Sequence, residues 1–197
     1  MTFRLGLTGS IGMGKSTTAR MFAEEGCAVW DADDAVHRLY APGGAAVSEI
    51  AEIFPEVIEN GAVSRQRLRD LVTRDSAALP RIEAIVHPLV AREREEYANA
   101  SEQDIIVFDI PLLFETKAEE GMDAVACVTA PEDIQRARVL GRKTMNETHF
   151  KTVLGKQMSD AEKCARADYV IVTDTLEHAR EQVRAIIADI RRRLAHA

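Results

Sequence analysis

Five short apolar runs are spaced along the chain: "FRLGLT" (3–8), "CAVWD" (27–31), "DIIVFDI" (104–110), "DAVACVTA" (123–130) and "DYVIVT" (168–173). Each is short enough, and apolar enough on both sides, to be a strand buried on both faces. Between them the apolar positions recur with the helical period. Residues 15–26 place Ala19, Phe22 and Ala23 on one face and end at Gly26. Residues 34–100 are almost wholly helical in pattern, with Leu68, Leu71 and Val72 in one amphipathic helix. Leu79, Ile82, Ile85, Val86, Leu89 and Val90 mark a longer one, and Pro42-Gly43-Gly44 is a turn between helices. The chain closes on a helix carrying Leu176, Ala179, Val183, Ile186, Ile187, Ile190 and Leu194 on its apolar stripe. Strands that alternate with helices predict an α/β fold with a five-stranded parallel sheet covered on both faces, three layers in all. The run of helices over 34–100 interrupts the alternation, so it is expected to be an insertion into one domain spanning 1–197. The core is expected over about 1–33, 101–140 and 165–197.

Composition narrows the setting. The net charge of −7 argues against a broad nucleic-acid surface. The basic run Arg191–Arg193 sits where a helix C-terminus favours positive charge. No apolar stretch approaches the ~20 residues that cross a bilayer, and the first strand begins too early for a secretory leader. Cys27, Cys127 and Cys164 are far apart without metal-ligand spacing; as reduced thiols they suit the cytoplasm, with Cys27 and Cys127 expected in the core. His37, His149, His178 and His196 show no ligand spacing either.

Directly after the first strand comes "GSIGMGKS", which fits G-x-x-x-x-G-K-[ST] with Gly9, Gly14, Lys15 and Ser16 at the fixed positions. Strand, glycine loop and helix together form a phosphate cradle. Backbone N–H groups and the helix N-terminus face the anion. Lys15 neutralises β- and γ-phosphates, and the Ser16 hydroxyl is a ligand for the Mg²⁺ that accompanies a triphosphate. The loop does not by itself separate a kinase from an ATPase or GTPase.

The second informative stretch is "WDADDAVHRLY" (30–40), which puts Asp31 and Asp33 at the C-terminal end of the second strand. Ligands of open α/β sheets bind at that edge. A carboxylate there can take the proton of an attacking hydroxyl, whereas a phosphate acceptor would need arginines and no base. The same acids can equally cap the following helix. The residues alone leave both open.

At this point the series "GLTGSIGMGKST", "DADD", His87-Pro88, "DIPLLFE" (109–115), "QRARVLGR" (135–142), "KQM" (156–158) and "ARADYVI" (165–171) resembles the dephospho-coenzyme A kinase family. That family is similar in fold to the nucleoside monophosphate kinases. The resemblance covers nearly the whole chain and implies phosphorylation of the ribose 3′-hydroxyl of dephospho-CoA by Mg·ATP. It implies Asp33 as the base with Asp31 in support, and Gly12, Met13, Gly14, Lys15, Ser16 and Thr17 around the ATP phosphates. His87, Leu112, Leu113 and Glu115 would shape the acceptor pocket. Mg²⁺ would be held by Ser16 and by Asp33 or Asp109. Arg142, then Arg138, would meet the transferring phosphoryl group, with a lid over about 141–160 hinged at 141–144. Where the family carries Asn or a small polar residue after the last strand, this chain has Thr173 and Asp174, which puts a side-chain role there in doubt.

Without the resemblance, the basic residues of 135–158 would be a solvated helix face. Two other functions fit the loop: a kinase for another nucleoside, nucleotide or small alcohol, and a nucleotide-dependent regulatory ATPase. The chain lacks the N-K-x-D guanine motif, which weakens the switch reading. The chain is expected to work as a monomer on small-molecule substrates, with neither nucleic acid nor membrane as a partner.

Overall fold

The computed structural model describes residues 2–141 and 145–196. Residues 31–100 form one compact unit, and the segments before and after them form the other.

The larger unit is built on a five-stranded parallel sheet in the order β2-β5-β1-β6-β7. Its strands are β1 (Phe3–Thr8), β2 (Ala28–Asp31), β5 (Ile105–Asp109), β6 (Ala124–Thr129) and β7 (Tyr169–Val172). All five expected strands are present. Register pairs Leu7 with Asp109 across β1 and β5, Thr8 with Cys127 across β1 and β6, and Thr129 with Val172 across β6 and β7. Every residue of β5 is buried, as a strand covered on both faces requires.

The alternation of side chains divides the sheet into two faces. Leu5, Leu7, Ile105, Val107, Ala126 and Val128 join one core with α1 (Lys15–Glu24) and α9 (Leu176–Ala195). The intervening positions face the other layer. An added Cβ at Gly6 would stand 2.7 Å from Leu113, and Cys127 lies beside Cys164 of α8 (Asp160–Arg166). The fully buried Trp30 meets Phe108 edge-on, with centroids 5.9 Å apart. Helices α6 (Glu132–Gly141) and α7 (Glu147–Leu154) precede α8. Arg136 of α6 and Glu147 of α7 form an exposed ion pair at 2.8 Å. On α1, Thr18, Ala19, Met21 and Phe22 are the buried residues, and Ala23 is exposed. The stripe is therefore rotated from the expected one. The helix stops where Gly26 takes a φ of +90°.

The smaller unit holds α2 (Ala32–Tyr40), α3 (Ala45–Ile53), a hairpin of β3 (Ile58–Glu59) and β4 (Ala62–Val63), α4 (Arg65–Arg74) and α5 (Ala78–Ala100). The hairpin was not expected in a helical segment. Asn60 and Gly61 both have positive φ, 50° and 76°, as a tight Asn-Gly hairpin turn demands. Leu39, Ile50, Val57, Ile82, Val86 and Leu89 form the core of this unit. Leu79 is 41% exposed and does not join it. Among the described residues no helix is long and apolar enough to cross a membrane.

Candidate active site

The loop between β1 and α1 is shaped by close backbone approaches. A Cβ at Gly9 would stand 2.6 Å from the Val128 carbonyl oxygen. Gly14 is the N-cap of α1 with φ 95°, a left-handed conformation that side chains resist. Gly12 lies against Gln135 and Val139 of α6. Met13 is buried, its Sδ accepting the Ala130 N–H at 3.2 Å and its own N–H donating to Ser10 O at 3.2 Å. Its side chain is thus part of the scaffold. Ser16 is exposed in the first turn of α1, followed by the half-buried Thr17. Lys15 Nζ donates to Asp109 Oδ1, an ion pair in which the lysine side chain is 14% exposed and the aspartate 1%. The loop cation is therefore held ready by an acid at the C-terminal end of the strand beside β1.

A second polar system joins α6 to the end of β7. Arg138 donates from Nη1 to the Thr173 hydroxyl at 2.9 Å and from Nη2 to the Thr173 carbonyl at 2.5 Å. The Thr173 hydroxyl in turn donates to Met13 O at 2.7 Å. Thr173 thus has a definite side-chain role, connecting Arg138 to the glycine loop. A cavity of about 270 Å³ opens here, lined by Gly14, Thr17, Arg138, Thr173, Thr175 and Leu176 among others. Ile11 of the loop is tied from two directions. Its carbonyl accepts from Gln135 Nε2 at 2.8 Å, and its N–H donates to Gln157 Oε1 at 3.3 Å. Of the expected hinge at 141–144, Gly141 is the last residue of α6, and Arg142 with the rest of 142–144 lies outside the described residues.

The segment after β5 divides its predicted roles. Leu112 is 42% exposed, but Leu113 is fully buried against the sheet. The Leu113 side chain is packed in the core beside Gly6, so any part it plays toward an acceptor is through the loop backbone. Glu115 accepts from Lys163 Nζ at 3.0 Å and from the Met158 N–H at 2.9 Å. Burial disfavours its charge, yet the Lys163 hydrogen bond, the Met158 N–H and the lysine charge outweigh that and hold the carboxyl below its ordinary value. Lys163 is fully buried and also donates to Pro111 O at 3.0 Å. Sequence reasoning missed it, since its partners lie 48 and 52 residues away.

In the smaller unit, Asp31 is the N-cap of α2. Its Oδ1 accepts the N–H groups of Asp33 at 2.7 Å and Asp34 at 3.1 Å. The cap and the acid are therefore different residues. Asp33 is exposed in the first turn, and its carboxylate has no partner among the described residues. His87 is exposed on α5.

Comparison with known proteins finds relatives along nearly the whole chain. The sequence profile of the family described as Dephospho-CoA kinase matches residues 3–178. A Dephospho-CoA kinase from Ruegeria pomeroyi is 60% identical over 197 residues, covering 100% of both chains. A crystal structure of a Thermus thermophilus protein superposes with a TM-score of 0.85 at 31% identity, over 95% of this chain and 97% of that one. A Dephospho-CoA kinase from Campylobacter jejuni shares the fold at a TM-score of 0.71 and 23% identity, over 96% and 98% of the two chains. With a profile spanning most of its length and a relative of that name matched from end to end, the chain belongs to the dephospho-CoA kinase family.

Proposed function

We propose that this chain transfers the γ-phosphoryl group of ATP to the ribose 3′-hydroxyl of dephospho-CoA, giving CoA and ADP, the last step of CoA synthesis. The observation that carries the alcohol chemistry is the division of labour between Asp31 and Asp33. Capping occupies Asp31, so the Asp33 carboxylate is left free to accept the proton as the hydroxyl attacks phosphorus. Lys15 moves from Asp109 alone to the β- and γ-phosphates, and the loop N–H groups hold the same oxygens. The base and ribose of ATP occupy the cavity beside Arg138 and Thr173, with Arg138 and Arg142 meeting the charge that spreads over the transferring group. Leu112 and His87, both exposed, contact the acceptor. Glu115 acts on it indirectly, by fixing the loop that carries Leu112. Residues 141–160 close over the site and exclude water.

The oxygen donors present fit Mg²⁺, a hard cation that takes hydroxyl and carboxylate oxygen. Ser16 offers an exposed hydroxyl in the first turn of α1, and Asp109 or Asp33 would hold the ion through water. Bound with ATP, Mg²⁺ neutralises charge on the β- and γ-phosphates. The chain would work as a monomer in the cytoplasm on these two substrates, with neither nucleic acid nor membrane as partner. The net charge of −7 supports the exclusion of nucleic acid.

A panel of acceptors with ATP tests this reading. Dephospho-CoA is expected to be phosphorylated with a far higher kcat/KM than adenosine, AMP or shikimate. Turnover of a nucleoside monophosphate with none of dephospho-CoA rejects it.

A further inference from the structure

Sequence spacing gave the three cysteines no common purpose, but the fold brings two of them together, far along the chain from the glycine loop. Cys127 projects from β6 and Cys164 from α8, with their sulfur atoms 3.7 Å apart. Asp160 stands one turn before Cys164 on the same helix, its Oδ2 lying 4.0 Å from Cys164 Sγ. The three ligand atoms all lie within 4.8 Å of one another. Cys127 is fully buried, and Cys164 and Asp160 are half-buried.

We infer that Cys127, Asp160 and Cys164 form a binding site for a thiophilic divalent cation of the zinc class, distinct from the glycine loop and from the residues that line the cavity beside Arg138. Two features carry this. The first is size. With Zn–S bonds of about 2.3 Å, the edge of a tetrahedral site between two sulfurs is about 3.8 Å, which matches the observed separation. An S···O edge is about 3.5 Å by the same geometry, so Asp160 would move inward from the 4.0 Å that separates its Oδ2 from Cys164 Sγ, and the three ligand atoms, which lie within 4.8 Å of one another, would contract around the ion. The second is an unsatisfied acceptor. Asp160 Oδ2 takes the Thr129 hydroxyl at 2.6 Å, but Oδ1 is buried with no hydrogen-bond partner among the described residues. Two thiols resting in van der Waals contact would explain the sulfur separation, but they would not explain a buried carboxylate oxygen left bare. A cation held by both sulfurs and by both oxygens of the Asp160 carboxylate would satisfy it.

The donor set selects the metal. Two sulfurs and one carboxylate suit zinc or its analogues, whereas Mg²⁺ takes oxygen ligands only. Oxidation to a disulfide is the competing chemistry for such a pair. Burial is the main cause that raises both thiols above their ordinary value; at Cys127 the Cys164 thiol and Asp160 add to it against Lys163, and at Cys164 the Asp160 charge adds to it against the hydrogen bonds with Cys127 and Thr129. Few thiolates are therefore present to react with an oxidant. Zn²⁺ or Co²⁺ displaces both protons as it binds, and a fourth position is left for water.

Co²⁺ is the probe, added to the full-length protein kept reduced by a phosphine and holding saturating Mg·ATP. The expected result is one equivalent of Co²⁺ bound with a thiolate-to-cobalt charge-transfer band, displaced by Zn²⁺. Cys164→Ala is expected to abolish the band and Cys27→Ala to keep it. Asp160→Asn is expected to weaken binding at least about tenfold. Cys164 is half-buried, so its variant tolerates the change, and far-UV circular dichroism verifies its fold; Cys127→Ser provides the second loss. No charge-transfer band in the wild type, or a band that survives Cys164→Ala, overturns the assignment.

Discussion

Lys15 of the glycine loop donates to the carboxylate of Asp109, the last residue of β5, and that carboxylate is 1% exposed. A charge so far from water needs compensation. Register explains why Lys15 supplies it. Asp109 pairs with Leu7 across the β1–β5 ladder, so the acid emerges level with the strand end that feeds the loop. The pair positions the lysine before nucleotide arrives, and it also binds loop to sheet.

A double-mutant cycle separates those two effects. Lys15→Ala alone is expected to destabilise the nucleotide-free protein by about 3 kcal/mol, since it removes the cation beside a buried carboxylate. Lys15→Ala with Asp109→Asn is expected to recover most of that stability and none of the turnover. Urea unfolding of the four proteins, read beside kcat, gives the coupling. Strictly additive losses would mean that the two side chains do not depend on each other.

Thr173 connects Arg138 to the loop, so its hydroxyl is expected to matter for nucleotide binding. Thr173→Val keeps the shape and removes both the bond to Met13 O and the acceptor for Arg138 Nη1. The KM for ATP is expected to rise roughly tenfold, the equivalent of one lost bond to a charged group, with a smaller change in kcat. Steady-state kinetics with saturating acceptor measure both. An unchanged KM would move the nucleotide away from this end of the sheet.

Glu115 gives the fold an acid-sensitive clasp. Its carboxyl lies below its ordinary value of 4.5 in the folded chain. Such a group adds stability that is full above the unfolded value and is lost as pH falls through the folded one. Glu115→Gln is expected to lower stability by roughly 2 kcal/mol at pH 7, because the buried Lys163 keeps only a neutral partner. The gap to the wild type should close only on the acid side of pH 4.5. Unfolding free energies at pH 7, 5 and 4 show it. A gap that stays constant over that range would assign the loss to packing.

The strands were legible because parallel strands covered on both faces read as continuous apolar runs, and the glycine loop was legible because backbone geometry restricts its residue types. Other features depend on partners that spacing does not reveal. Lys163 resembles any helical lysine until Pro111 and Glu115 are folded over it. The hairpin at Asn60-Gly61 joins strands of two residues each, too short for alternation to show, although the Asn-Gly pair itself was a usable signal. Leu112 and Leu113 are chemically alike, and only the turn after β5 decides that one is exposed and the other sealed. At "DADD" the chemistry allowed a cap or a base, and the hydrogen bonds from Asp33 N and Asp34 N identify Asp31 as the cap.

That distinction leads to the decisive measurement, a rapid-quench comparison of the wild type with Asp33→Asn and Asp31→Asn, using ATP and dephospho-CoA. Asparagine still caps a helix, so Asp31→Asn is expected to keep its stability and most of its rate. Asp33→Asn is expected to lose at least about a hundredfold in the phosphoryl-transfer step, the contribution of a general base, while binding ATP as the wild type does. A transfer rate in Asp33→Asn equal to that of the wild type would contradict carboxylate-assisted phosphorylation of the ribose hydroxyl.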